Sequence, residues 1–281
     1  MKSRWMKARK PILSLADQTA RPYYLKSLWG LFFCLMLMAC QPPGLPTKEP
    51  SALACKNAPH IGRTIWLTSE SPPLETSLEP GEVILTFDDG PDPHRTLPVL
   101  AILAEHCITA AFFLRGDQAQ QNPELVEQIL TAGHTVGSHT YSHPRLVDLA
   151  PDDAKREIVT GRDAVAQAAG GSTKFDTTTF FRYTYLQSSE HLETIIEDLG
   201  LIIIGANASG QDWLTTAPDA IFQNIKLDLA RNGDRGVVLL HDPFFNSDRS
   251  LELVVRELKL AGHKFVSFRA AGPTPPPNKV H

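Results

Sequence analysis

Two adjacent carboxylates, Asp88 and Asp89, stand at the end of the apolar run 82–87 and are followed by Gly90, Pro91, Asp92 and Pro93. Where a strand gives way to a loop, neighbouring side chains point in different directions, so one carboxylate can bind a cation while the other handles a proton. The alternative is that Asp88, Asp89 and Asp92 only build a turn, since Asp, Gly and Pro dominate turns. A second cluster, Ser138-His139-Thr140-Tyr141-Ser142-His143-Pro144, carries two histidines four positions apart. On a helical turn that spacing puts both imidazoles on one face, and Pro144 discourages helix beyond His143, so one short helical turn with two ligands for one metal is expected. With a carboxylate from an aspartate the set becomes His, His and carboxylate, which suits Zn²⁺ or a similar divalent ion and leaves positions for water and substrate. A third cluster, His241-Asp242, closes the run 237–240, where a histidine can give a proton to a leaving group. Arg182 and the pair Asp212-Trp213 also follow expected strands; taken singly, they read more readily as a surface charge and a packed aromatic than as catalytic groups.

These clusters must be brought together by the elements that carry them. Short apolar runs at 82–87, 110–114, 134–137, 178–181, 201–205, 236–240 and 264–267 read as strands. Amphipathic stretches at 96–105, 123–132, 152–169, 188–199, 216–231 and 248–261 read as helices, with Pro123 at a first helical turn. Strand and helix in alternation imply an α/β fold of parallel strands with crossover helices, as an open sheet or a barrel. About seven such units favour a single, distorted (β/α) barrel with about seven parallel strands. In that architecture the loops after the strands converge on one face, which gathers the three clusters. The sequence has no internal repeat.

Of 281 residues, 42% are hydrophobic, enough for one large core. Residues 1–26 hold seven Lys or Arg against the single acid Asp17, and the remainder carries 20 basic and 30 acidic residues, a net charge near −10. That balance offers no basic face for phosphates, so nucleic acid is excluded as a partner. The basic segment leads into an uncharged run, 28–39, too short for a comfortable membrane span and suited to a secretory signal. Its end, Leu37-Met38-Ala39-Cys40, resembles the lipobox of bacterial lipoproteins, which implies cleavage before Cys40 and lipidation of that cysteine. A plain N-terminal anchor helix is the alternative. The expected organisation is a signal peptide over 1–40, a Pro-rich tether over 41–60, a folded domain over 61–270 and a Pro-rich tail over 271–281. Cys55 and Cys107 then remain as a possible disulfide in an oxidising compartment, and no CxxC pair suggests a thiolate site. Gln41 after the lipidation cysteine, rather than Asp, matches the rule for outer-membrane sorting if the host has two membranes.

Taken in order, the clusters resemble the polysaccharide deacetylases with the NodB homology domain, carbohydrate esterase family 4, over roughly residues 80–268. Thr86-Phe87-Asp88-Asp89-Gly90 resembles the first family motif, which implies Asp88 as catalytic base and Asp89 as metal ligand. His139-Thr140-Tyr141-Ser142-His143 is similar to the second, which implies His139 and His143 as the remaining ligands. Leu239-Leu240-His241-Asp242 resembles the fifth, with His241 as general acid and Leu239 lining the pocket for the acetyl methyl. Asp212-Trp213 is similar to the fourth, which implies that Asp212 tunes His241 and Trp213 walls the groove. Arg182-Tyr183-Thr184-Tyr185 resembles the third, with Arg182 orienting Asp88 and the Tyr185 backbone N–H holding the oxyanion. There the chain departs from the family, because Thr184 stands where the motif has proline, and the loop around Tyr185 lacks that restraint.

The resemblance implies a divalent metal cofactor, Zn²⁺ first, and an acetylated polysaccharide or oligosaccharide as substrate, cleaved at an N-acetyl or O-acetyl group. Peptidoglycan N-acetylglucosamine, a chitin-like oligomer and an exopolysaccharide all fit. With the signal segment, it implies a cell-envelope protein bound to the membrane through lipid. Two other functions share these residues: a surface glycan-binding lipoprotein with weak turnover, and a deacylase of a small N-acyl compound. The oligomeric state is not encoded in any motif.

Overall fold

In a computed structural model the structure describes Cys55 and residues 61–170, 179–243 and 247–271. These belong to one compact unit, Lys48–His281. The expected signal peptide, Cys40, nearly all of the tether and nearly all of the tail lie outside the described residues. Among the described residues no helix is long and apolar enough to cross a membrane.

In chain order the elements are β1 (Ile61–Leu67), β2 (Glu82–Asp88), α1 (Thr96–Glu105), β3 (Ala111–Leu114), α2 (Gly116–Gln121), α3 (Pro123–Thr131), β4 (Thr135–Ser138), α4 (Pro151–Ala168), β5 (Phe180–Phe181), α5 (Glu190–Asp198), β6 (Ile202–Ile203), β7 (Ala208–Ser209), α6 (Pro218–Arg231), β8 (Gly236–His241), α7 (Ser247–Leu260) and β9 (Lys264–Ala270). All strand pairs are parallel. Seven strands form a nearly closed barrel, from β2 through β3, β4 and β5 to β6 on one side and from β2 through β8 to β7 on the other. The seam lies between β6 and β7.

Every residue of β2 is buried, as in a parallel strand covered on both faces, and this explains the apolar run Val83-Ile84-Leu85 and Phe87. Val83, Leu85 and Phe87 face the helical layer, where Phe87 stacks on Phe112 with ring centroids 5.0 Å apart. The alternate residue Ile84 points into the barrel. There it meets Phe113, Phe180 and Val237, with Ile65, Leu67, Val266 and Phe268 from β1 and β9 in the same cluster. This part of the interior is therefore apolar packing.

Pro123, Pro151 and Pro218 open α3, α4 and α6, where their missing N–H costs nothing. Helix α5 ends before Gly200, whose φ of 63° reverses the chain into β6. The barrel and the expected helices were legible in the sequence; β1, β7 and α2 were not. Strand β1 is largely exposed along one side, so its periodicity is weak, and β7 is only two residues long. Cys55 and Cys107 form a disulfide with Cα atoms 5.2 Å apart, within the usual range.

Candidate active site

The parallel register places Asp88 of β2 directly beside His241 of β8 and Phe113 of β3, so three strand ends meet at one level. Asp89, the next residue, has φ of 73° and donates its N–H to the Phe113 carbonyl. That left-handed turn swings its carboxylate away from that of Asp88, giving the adjacent acids the divergent directions expected of them.

The second cluster departs from expectation. Residues 139–143 form no helical turn; Thr140 and His143 have φ of 65° and 63°, and the segment is an irregular bend. The reason is local. The Thr140 and Tyr141 carbonyls accept the first N–H groups of α2, from Gly116 and Asp117 at 2.9 and 3.0 Å, so they cannot serve a helix of their own. On the other side the Glu157 carboxylate of α4 accepts the N–H groups of Tyr141 and Ser142 at 3.2 and 3.0 Å, and the Ser142 hydroxyl at 3.0 Å. The His143 N–H donates to Thr140 Oγ1 at 3.0 Å. Gly161 of α4 lets the bend approach, because a Cβ there would sit 2.2 Å from the Thr140 carbonyl carbon. The positive φ values store strain, on the order of 1–3 kcal/mol each for a non-glycine residue, held by this network.

The result still brings the two imidazoles together, with ring centroids 5.0 Å apart. One ligand atom each from Asp89, His139 and His143 lies within 4.8 Å of the others. His143 Nε2 is 3.3 Å and His139 Nε2 3.8 Å from Asp89 Oδ1. Buried Asp89 Oδ1 has no hydrogen-bond partner among the described residues, a costly state for a carboxylate unless a cation meets it. His139 Nδ1 donates to the Arg182 carbonyl at 2.9 Å, which fixes the tautomer with Nε2 as the lone-pair nitrogen facing Asp89. Burial pushes His143 below the ordinary imidazole value, against the opposing charge of Asp89, and so favours the neutral form a metal requires. The residues fit a divalent ion.

Arg182 is fully buried and spends its guanidinium on four acceptors. Nη1 donates to Asp88 Oδ1 at 2.8 Å and to Thr86 Oγ1 at 2.7 Å, Nε to the Ile204 carbonyl and Nη2 to the Gly205 carbonyl, while Cζ lies 4.1 Å over the Phe113 ring. A planar fork fixed at this many points leaves Asp88 one orientation, with Oδ2 3.8 Å from His139 Nε2. Thr86 belongs to this support, through a role the sequence did not reveal; its hydroxyl passes the bond on to the Val238 carbonyl.

Across the site, Asp212 holds His241 twice: Oδ2 accepts the His241 N–H at 2.6 Å and Oδ1 meets Nδ1 at 2.9 Å. Strand β7 makes this possible by pairing with β8 and delivering Asp212 beside it. Burial works against the imidazolium, but the Asp212 hydrogen bond and the charges of Asp212, Asp88 and Asp89 outweigh it, so the pKa of His241 is raised. Leu239, two residues earlier on the same face of β8, is buried. Asp242 points the other way, buried beneath Gly90 and hydrogen-bonded to Thr96 Oγ1; burial raises its pKa to about 7.

Two half-exposed aromatics flank the histidines. Tyr185 packs on the His143 ring at 4.9 Å, and Trp213 meets the His241 ring edge-on at 5.3 Å. Thr184, in the proline's place, is buried and donates from Oγ1 to the Pro144 carbonyl at 2.7 Å, tying the Tyr185 loop to the histidine bend. All ten sequence-predicted site residues among those described therefore lie around one centre or directly behind it. Thr86, Thr140 and Glu157 were missed, and Glu157 gave no signal beyond an acid on an amphipathic helix.

Comparison with known proteins agrees with this geometry. Residues 76–204 match the family described as "Polysaccharide deacetylase". A peptidoglycan-N-acetylglucosamine deacetylase of Bacillus cereus is 31% identical over 191 residues, covering 66% of each chain. A chitooligosaccharide deacetylase of Rhizobium leguminosarum bv. trifolii is 32% identical over 174 residues, 62% of this chain and 77% of that one. The structure of a family 4 carbohydrate esterase from Streptomyces lividans, in complex with acetate, superposes with a TM-score of 0.57 at 31% identity, covering 69% of this chain and 94% of that one.

The chain belongs to the polysaccharide deacetylase family.

It spans 66% of the length of the Bacillus cereus relative and 38% of a Listeria monocytogenes one. The polysaccharide deacetylase match begins at Thr76 and ends at Ile204, so it contains Asp88, Asp89, both histidines of the bend and Arg182, while His241 and Asp212 lie beyond it.

Proposed function

We propose that the protein is a metal-dependent hydrolase that removes acetyl groups from N-acetylated amino-sugar units of a cell-envelope or extracellular glycan. The observation that carries this reading is the convergence of Asp89, His139 and His143, with Arg182-bound Asp88 and Asp212-bound His241 on the neighbouring strand ends. Those three ligands would hold a divalent ion, Zn²⁺ first, which when bound polarises the acetyl carbonyl and acidifies a water.

The chain's own groups do the rest. Asp88 Oδ2, the oxygen that Arg182 leaves uncommitted, accepts the proton of the attacking water. Its oxygen bonds to the acetyl carbonyl carbon, and the Tyr185 backbone N–H donates to the developing oxyanion, a contact worth about 3–4 kcal/mol in other enzymes. As the carbon–nitrogen bond breaks, protonated His241 supplies the proton that the departing nitrogen needs, and Asp212 steadies the imidazolium. The products are acetate and a free amino sugar. Leu239 lines the space for the acetyl methyl, and the faces of Tyr185 and Trp213 receive sugar rings, whose C–H surfaces suit aromatic stacking.

The cysteine-bearing apolar segment supports an envelope location, with Cys40 lipidated and the catalytic unit tethered outside the cytoplasm. Mass spectrometry of the mature N-terminus is expected to find a diacylated Cys40; an intact Met1 terminus would exclude it. For the activity, acetate release is measured from a panel of acetylated glycans, with Asp88→Asn beside wild type. Loss of the base is expected to reduce the rate about 10²–10⁴-fold while the metal stays bound. Glycan binding without acetate from either protein would leave a surface binding protein instead.

A further inference from the structure

A cavity of about 820 Å³ is lined by Tyr183 and Leu186, by α5 and by the chain at and after β6. Glu70, Glu75, Glu193 and Glu197 line it, and no lysine or arginine does among the described residues. Buried Arg182 interacts electrostatically with Glu75 but places its donors on Asp88, Thr86 and the Ile204 and Gly205 carbonyls. Among the described residues Glu193 alone of the four has a side-chain hydrogen-bond partner, the Ser188 hydroxyl at 3.0 Å.

Two further atoms on this wall are unsatisfied. Tyr183, 7% exposed, has a hydroxyl without a hydrogen-bond partner among the described residues, and Glu75 Oε2 is buried in the same state. Buried polar groups are normally paired, so a phenol donor and a carboxylate acceptor left open on one cavity wall are available to a polar guest. Ile196, Leu201 and Ile204 supply apolar surface between them. A guest that suits this wall is cationic, carries hydroxyls, and has an apolar face.

We propose that this cavity is a recognition subsite for a protonated amino sugar, a unit of the glycan from which the acetyl group has already been removed. The inference rests on the deacetylase reading above, because that reaction generates an ammonium group on the chain being processed. The carboxylates of Glu70, Glu193 and Glu197, with no lysine or arginine in the lining among the described residues, give the cavity a field that attracts the product and not the neutral acetylated unit. Tyr183 and Leu186 line it, and Tyr185 between them packs on His143, so in this proposal a partly deacetylated chain is held there while another unit is cleaved.

The test is calorimetric titration of the full chain with a β-1,4-linked glucosamine tetramer and, separately, with its fully N-acetylated counterpart. The variant is Glu193→Gln with Glu197→Gln, two exposed positions outside the catalytic machinery. The glucosamine tetramer is expected to bind wild type, to bind the variant at least tenfold more weakly, and to weaken with salt and as pH rises through titration of the sugar amine. Acetate release from an N-acetylglucosamine trimer is expected to stay within twofold of wild type. Equal affinity in both proteins, or no binding, overturns the subsite. Calcium chloride titrated alone is the control: carboxylate-dependent heat from Ca²⁺ with none from the tetramer also overturns it. The titration is repeated on Asp88→Asn, which separates the two readings. Carboxylate-dependent binding without acetate from wild type would sink the hydrolase and leave the subsite, whereas acetate release with carboxylate-independent binding would sink only the subsite.

Discussion

His241 and Asp212 tie protonation at the centre to a single hydrogen bond, Nδ1 to Oδ1 at 2.9 Å. With its pKa raised, the imidazole carries its proton above the ordinary histidine range. In the proposed reaction His241 is the general acid, which works only while protonated, so activity is expected below that pKa and is expected to be lost as pH rises through it. Asp212→Asn removes the partner that most favours the charged form, so the alkaline limb of kcat/KM is expected to move to lower pH; an unmoved limb would mean that His241 is not the acid. The same sign applies to stability: this contribution is full below the unfolded pKa of about 6.5 and is lost as pH rises through the raised folded value. At this scale the sequence was most informative. Asp88-Asp89, the histidine pair and His241-Asp212 are short and chemically distinctive, whereas Arg182 and Asp212 gained meaning only through a family pattern, because nothing local separates them from surface charges. Their burial, complete for Arg182 and 2% exposed for Asp212, is a property of the fold alone.

Among the elements, the bend 139–144 decides whether the ligands meet. Sequence spacing suggested a helical turn; the structure reaches the same pairing by bracketing an irregular bend between the first turn of α2 and Glu157 of α4. Residue spacing within the segment does not register the donors and acceptors that α2 and α4 bring to it, and these replace the helical turn by a bend. Removing the bracket with Glu157→Ala is expected to weaken metal binding about 10–100-fold, as loss of supporting groups does at other metal sites, and to cost about 1–3 kcal/mol of stability. Competition with a chromophoric chelator reads the first and denaturant unfolding the second. Unchanged metal affinity would show that the histidines are positioned without Glu157. Thr184 meets the same requirement on the facing loop, through a hydrogen bond to the Pro144 carbonyl where the family pattern has a proline.

For the whole molecule, the count of strand and helix units was enough to expect a barrel, and seven parallel strands do form one, with a seam between β6 and β7. The additions β1 and β9 sit beside it and fill its interior with Ile65, Leu67, Val266 and Phe268. The disulfide from Cys55 to Cys107 closes a separation of 52 residues and ties the chain entering β1 to the end of α1. For that loop, removing the bond by Cys107→Ser is expected to cost about 2–4 kcal/mol, seen as a lower denaturation midpoint with a steeper slope, because the unlinked chain unfolds to a more expanded state. An unchanged midpoint would mean that the cross-link adds nothing to the packed barrel. The sequence left Cys55 and Cys107 as the possible pair, and the fold brings them within bonding distance.

The convergence of Asp89, His139 and His143 on one cation is tested most directly by metal analysis joined to turnover. The purified chain is expected to hold one divalent ion, to lose it in His139→Ala, and to release acetate from N-acetylglucosamine oligomers at a rate that collapses with a chelator and returns with Zn²⁺. A chain that releases acetate at full rate with no metal bound, or that keeps its ion when His139 and His143 are both replaced, would contradict it.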